Sequence, residues 1–138
     1  HESQMLKYFN MAEKMKGITG ENLLSILESR LDNVVYRMGF GISRAEARQL
    51  VTHGHFTVNG KKVDIPSYLT KVGDVIEVKA SSKNSVRFKQ IVENHRGTTV
   101  KWVQVNPDEL KGKIVSEPSR EEIDIPIQEH LIVELYSK

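Results

Sequence analysis

SRAEARQLVTHGHFTVNGKKVDI, residues 43–65, reads as a short helix, a tight stop and a hairpin in succession, and the class of everything around it follows from that reading. Ser43 is suited to accept a hydrogen bond from an early helical N–H, and Glu46, three residues on, to reach back to the Ser43 N–H, the reciprocal arrangement of a capping box. A helix of roughly ten residues therefore starts here. Ala47, Leu50 and Val51 fall at i, i+3 and i+4 and make one apolar face, while Arg44, Arg48 and Thr52 repeat every four residues on another. Gly54 stands where a left-handed residue ends a helix, with His53 near the negative end of the helix dipole. His55–Val58 and Lys61–Ile65 then form two runs joined by Asn59-Gly60, a pair suited to the type I′ turn that matches strand twist.

Within the hairpin, Phe56 and Val58 alternate with His55, Thr57 and Asn59, and Val63 and Ile65 with Lys62 and Asp64, so one side packs and the other can meet a polyanion. Arginine forks bind phosphate in bidentate fashion, lysine supplies point charge, and Asn, Gln and His hydrogen-bond base edges or sugar hydroxyls. The candidate RNA-contacting residues are Arg30, Arg37, Ser43, Arg44, Arg48, Gln49, His53, His55, Asn59, Lys61, Lys62, Lys83 and Arg87. Several have an explanation that needs no ligand. Two arginines at helical spacing often mark a solvated face, Asn-Gly by itself says only turn, and Arg30 and Arg37 have Asp32 and Glu28 within reach as ion-pair partners. His53 and His55 lack a third ligand nearby and the chain has no cysteine, so a metal is rejected and no cofactor is expected. The ordered combination of capping box, paired arginines, glycine stop and basic hairpin is what favours RNA.

The chain has 138 residues, enough for one domain or two small, closely packed ones, and a chain of this size buries about two-thirds of its surface. Apolar residues at 38% and nine glycines are ordinary for a globular protein. No stretch approaches the ~20 apolar residues of a membrane span, and no signal peptide is visible. Zero cysteines exclude disulfides and thiolate chemistry. The net charge of +2 hides an asymmetry: residues 1–29, 30–101 and 102–138 carry nets of −1, +7 and −4. The positive potential lies on the middle segment, whose partner is expected to be polyanionic.

The first residues, HESQ, lack an initiator methionine and are set aside as lying inside a longer chain or as an appended scar. Leu6, Phe9 and Ala12, with Met5 and Met15, keep helical spacing and predict an amphipathic helix over 5–16 that stops at Gly17. A second helix opens at Thr19 or Gly20, with a continuous stripe of Leu23, Leu24, Leu27 and Leu31, and Asp32 is placed to cap a further turn. Val34, Val35 and Met38 extend the stripe to Gly39-Phe40-Gly41. After the hairpin, Asp74–Val78 is a strand expected to join its sheet, and Val86–Asn94 a helix. Lys79, Lys83, Arg87 and Lys89 are open to phosphate contact or a solvated face. Trp102–Val105 and Gly112–Ser116 read as strands around an Asn106-Pro107-Asp108 turn, with Trp102 a packed core aromatic rather than a base-stacking platform. Residues 117–126, with two prolines and four acids, are a poor RNA surface.

RLDNVVYRMGFGISRAEARQLVTHGHFTVNGKKVDIPSYLTKVGDVIEV, residues 30–78, resembles the S4 RNA-binding domain. The flanking MKGITGENLLSILESRLDNVVYRMGF and the terminal HLIVELYSK look like the bacterial small-subunit ribosomal protein S4 family, over about Met15 to Lys138 and more loosely between Ser81 and Pro126. The resemblance implies an α+β fold. A helical part, residues 1–30 with 126–138 packing back on it, carries an inserted helix-turn-helix and β-hairpin domain at 30–80 with a small, mostly antiparallel sheet, extended by a mixed helix and strand segment at 81–125. It further implies a non-enzymatic constituent of the small subunit, cytoplasmic and monomeric outside the ribosome. Its partner would be a 5′-domain junction of 16S rRNA, where it nucleates assembly and bears on translational accuracy. Ribosomal protein S5, mRNA where it enters the subunit, and repression of its own operon's mRNA are implied in the same way. Arg30 belongs to the RNA-facing surface in that family, and full-length members carry an additional N-terminal segment, often basic and sometimes zinc-binding.

Two alternatives share the grip: the RNA-targeting accessory domain of a pseudouridine synthase or tRNA synthetase, and a heat-shock-type ribosome-associated factor. About 90 residues lie outside the basic module, without a nucleotide-binding glycine motif or an acid–base cluster, which disfavours the enzyme.

Overall fold

The computed structural model describes residues 2–95, 97–98 and 100–118. The chain divides into two compact units, with the boundary between Glu28 and Ser29.

In the first unit, α1 (Glu2–Lys14) packs against α2 (Thr19–Glu28). Tyr8, Phe9 and Ala12 of α1 and Leu23, Leu24 and Ile26 of α2 are buried, and the Asn22 side-chain amide donates to the Ala12 carbonyl at 3.2 Å. The buried stripe of α1 is rotated from the expected one. Tyr8 is inside while Leu6 and Met15 are 43% and 45% exposed, and the helix begins at Glu2, so residues set aside at the start are part of it.

The second unit, Ser29–Glu117, contains α3 (Leu31–Arg37), α4 (Arg44–Thr52), β1 (Phe56–Val58), β2 (Lys61–Lys62), β3 (Val75–Val78), α5 (Val86–Asn94), β4 (Val103–Asn106) and β5 (Lys111–Ile114). The leucine stripe does not run on unbroken from α2. Arg30 is extended, with φ −60° and ψ 141°, and a new helix starts at Leu31. Asp32, expected as a cap, is therefore its second residue, and its Oδ1 accepts from the Asn33 N–H at 2.7 Å. The free N–H groups of this first turn are met from a distance: Leu31 donates to the Tyr68 carbonyl at 2.8 Å and Asp32 to the Pro66 carbonyl at 3.1 Å. That demand also explains why β2 ends after Lys62 rather than continuing to Ile65, which is 56% exposed. The chain leaves the sheet to deliver those carbonyls.

All pairings in the five-stranded sheet are antiparallel, in the order β2-β1-β3-β5-β4. The hairpin turn has φ of 52° at Asn59 and 85° at Gly60, the paired positive values of a type I′ turn, and it sets Val58 opposite Lys61 and Thr57 opposite Lys62. β3 joins the hairpin through β1, pairing Phe56 with Val78 and Val58 with Ile76. The last two strands lie one or two residues off their expected bounds, at Val103–Asn106 and Lys111–Ile114. A single helical turn at Pro107–Glu109 joins them, and the Asn106 side chain caps it by accepting from the Glu109 N–H at 3.3 Å.

Val34 and Val35 of α3, Met38 just after it, Leu50 and Val51 of α4, Phe88 of α5 and the inner residues of the sheet form one core, each such side chain contributing about 1.5–3 kcal/mol on burial. Phe56 stacks on Phe40 with ring centres 6.4 Å apart and meets Phe88 edge-on at 6.1 Å. Trp102 is 1% exposed and belongs to this core. No described helix is long and apolar enough to cross a membrane. The expected return of residues 126–138 to the helical part, and the acids at Glu121, Glu122 and Asp124, lie outside the described residues.

Candidate nucleic-acid interface

α4 is fixed at both ends by its own sequence. Ser43 Oγ accepts from the Glu46 N–H at 3.1 Å, but the returning Glu46 carboxylate takes the Ile42 N–H at 3.0 Å instead of that of Ser43, so the capping box is offset by one residue. At the other end Gly54, with φ 79°, donates to the Val51 carbonyl at 2.9 Å and His55 to the Leu50 carbonyl at 3.3 Å, the paired bonds of a Schellman stop. Gly41 lets the helix close on the preceding loop: a β-carbon there would stand 2.9 Å from the Ala47 N, Cα and Cβ.

So anchored, α4 presents Arg44 and Arg48 one turn apart, and α3 holds both. The Arg44 Nε donates to Asn33 Oδ1 at 3.2 Å, and its guanidinium lies 4.5 Å from the centre of the Tyr36 ring, within cation–π range. The Arg48 Nη1 stands 3.6 Å from Asp32 Oδ2. The same carboxylate receives Arg30, Nε at 3.2 Å on Oδ1 and Nη2 at 3.0 Å on Oδ2. Arg37 does not join this surface. It is 9% exposed, with its guanidinium 5.9 Å from the Tyr36 ring centre, because its position on the short α3 turns it inward.

The hairpin continues the cationic surface from the end of α4. Lys62 lies against Gly54, where a β-carbon would come within 2.6 Å of its Cε, so glycine both ends the helix and makes room for the lysine stem. Lys61 and Lys62 are exposed, as are Gln49 and His53. Among the described residues no carboxylate pairs with either lysine. Asn59 is exposed but occupied: its Nδ2 donates to Asp74 Oδ1 at 2.9 Å and its Oδ1 accepts from the Val75 N–H at 2.9 Å. These bonds lock the turn onto the start of β3 and use one hydrogen and one lone pair of the exposed amide.

The remaining candidates sit beside α5 and carry partners. Lys83 pairs with Glu77, and the Arg87 Nη2 with Glu46 Oε2 at 2.8 Å. Burial pushes the Glu46 carboxyl up, but the Arg87 and Ile42 hydrogen bonds and the Arg87 charge prevail and hold it below its ordinary value. His55 is half-buried, its Nδ1 2.8 Å from Ser82 Oγ and its ring edge-on to Phe88 at 5.5 Å. Burial first, then the charges of Lys79, His53 and Arg87, lowers its pKa and favours the neutral imidazole. Among the described residues no cluster of three or more His, Asp or Glu is placed to hold a metal ion.

The structure thus gathers Arg44, Arg48, Gln49, His53, Lys61 and Lys62 on α4 and the hairpin, and pairs Arg30, Lys83 and Arg87 with acids. Three residues that shape the surface escaped the sequence reading as contributors to it: Asn33, Tyr36 and Asp32 in its contact with Arg48. Only the Arg30–Asp32 pair had a sequence signal, their nearness in the chain. The others depend on α3 packing on α4.

The S4 domain family matches residues 29–76, and the ribosomal protein S4/S9 N-terminal domain family matches residues 1–28. The chain is 65% identical over 137 residues to small ribosomal subunit protein uS4A of Alkaliphilus oremlandii and 64% identical over 138 residues to small ribosomal subunit protein uS4 of Acetivibrio thermocellus. It is 63% identical over 137 residues to the uS4 protein of Clostridium botulinum. In each case 99% of this chain is matched, and the chain spans 66% of the relative's length.

Proposed function

The chain belongs to the uS4 family of small ribosomal subunit proteins, and on that premise we propose that it is a non-catalytic RNA-binding constituent of the small subunit, acting in the cytoplasm. Its target is a folded junction in the 5′ domain of 16S rRNA, which it binds directly and early so as to nucleate assembly. From that position it adjoins ribosomal protein S5 and bears on accuracy where mRNA enters, and the same grip serves to repress the mRNA of its own operon. The candidate contacts are Arg44, Arg48, Gln49, His53, Lys61 and Lys62, with Ser43, Arg30, Lys83 and Arg87 at the margin.

One observation carries this reading: the exposed cations of α4 and of the hairpin form one surface on rigid elements, joined where Lys62 crosses Gly54. A folded junction offers closely spaced phosphates and 2′-hydroxyls, and a fixed array of cations reads that shape without opening the grooves.

The test is filter binding of the chain to a 5′-domain transcript and to an equal-length unrelated structured RNA across salt concentration. With four cations engaged, log K falls against log[salt] with a slope of about −3. Equal, weak binding to both RNAs would refute the junction assignment.

A further inference from the structure

The RNA-binding reading leaves an anion in the middle of the cationic surface. Asp32 touches Arg30 through both oxygens, at 3.2 and 3.0 Å, and stands 3.6 Å from Arg48. A carboxylate beside a polyanion's docking site repels it, so on charge alone Asp32 costs affinity. The geometry gives it a different weight. One oxygen, Oδ2, receives a nitrogen from each arginine, so two guanidinium groups that would repel one another are held side by side. The anion is also recessed. Its side chain is 15% exposed against 61% for Arg48, so an approaching phosphate meets the cation first. Arg48 at this distance is oriented by charge rather than consumed by a hydrogen bond, and its outward N–H groups face solvent.

We propose that Asp32 is a positioning residue for RNA binding: by bridging Arg30 before α3 and Arg48 on α4 it orders both guanidinium groups, and this ordering raises affinity more than its own charge lowers it. The inference rests on the RNA-binding reading. Its physical basis is that long exposed side chains lose rotamer freedom when they bind, and a pre-ordered arginine loses less.

The experiment compares wild type, Asp32→Asn, Arg48→Ala and the double variant by filter binding to the 5′-domain transcript, with a thermal melt of each. Asp32→Asn keeps the volume and an acceptor for the Asn33 N–H but makes the chain one unit more positive. Positioning predicts about three- to tenfold weaker binding, and a clearly smaller loss when Arg48 is already alanine, because only the ordering of Arg30 then remains to be removed. Equal or tighter binding by the single variant would overturn the proposal, as would an equal loss in both backgrounds, which marks a purely structural role. Asp32→Glu restores the anion and recovers at least half of the lost affinity. It also carries the comparison if the asparagine variant fails to fold, and a glutamate variant that folds but binds as weakly as Arg48→Ala would overturn the charge bridge. Failure of the RNA-binding reading itself is separately visible, because wild type would then show no preference for the transcript.

Discussion

Replacing Gly41 by alanine tests whether the approach of α4 to its preceding loop is as close as the structure has it. No positive φ is involved at Gly41, so the substitution isolates space from backbone strain. The added carbon would stand 2.9 Å from three atoms of Ala47, two of them helical backbone that cannot rotate away. Forcing one methyl into such a contact costs roughly 1–3 kcal/mol through overpacking. Against this, a glycine-to-alanine change restricts the unfolded chain and returns about 0.4–1 kcal/mol where the site accepts it. The expected net is a loss of about 1–2 kcal/mol, and since each kcal/mol moves Tm by roughly 4–8 °C in a domain of this size, a fall of about 4–16 °C follows. Circular dichroism melts of the two proteins decide it. The competing terms have opposite signs, so an unchanged or raised Tm would refute the close approach. RNA affinity should fall as well, because a displaced α4 carries Arg44 and Arg48 away from Tyr36 and Asp32.

Arg44→Ala with Arg48→Ala should leave stability within about 1 kcal/mol, since an exposed ion pair and a cation–π contact each contribute little, while the salt slope of RNA binding drops by about 1.5. Unfolding of the double variant would show these arginines to be structural. Asn59→Ala removes the bonds to Asp74 and to the Val75 N–H and leaves alanine at φ 52°, so a loss of about 1–2 kcal/mol in urea titration is expected, with RNA affinity of the folded fraction nearly unchanged. A large loss of affinity without loss of stability would mark Asn59 as an RNA contact. His55 has its folded pKa below the ordinary 6.5, so as pH falls through 6.5 the unfolded chain takes up a proton first and stability declines. Urea midpoints between pH 7.5 and 5.5 should fall less steeply in His55→Asn than in wild type. Glu46, held below 4.5, acts at lower pH with the same direction: its contribution is full above that value and lost as pH falls through the folded pKa, and Glu46→Gln should remove it.

What the sequence determined by itself was local. The Ser43 cap, the Gly54 stop and the Asn59-Gly60 turn each depend on hydrogen bonds and φ values among residues a few positions apart, so residue type and spacing suffice to specify them. The strand at 75–78 and the helix at 86–94 were legible for the same reason, as periodicity over one element. The tertiary structure alone decided which cations face outward and what orders them. Arg37 and Arg48 are the same residue type on neighbouring helices, yet one is buried beside Tyr36 and the other stands over Asp32, because α3 presents different faces to the core and to α4. The sequence placed Asn59 in the turn, but that its amide reaches Asp74 and the Val75 N–H depends on β3 packing beside the hairpin. β2 ended early because the carbonyls of Pro66 and Tyr68 were needed at the start of α3, more than thirty residues away in the chain. The sequence names the donors and acceptors, but the choice among distant partners is made by which apolar faces pack, and packing is a property of the folded chain as a whole.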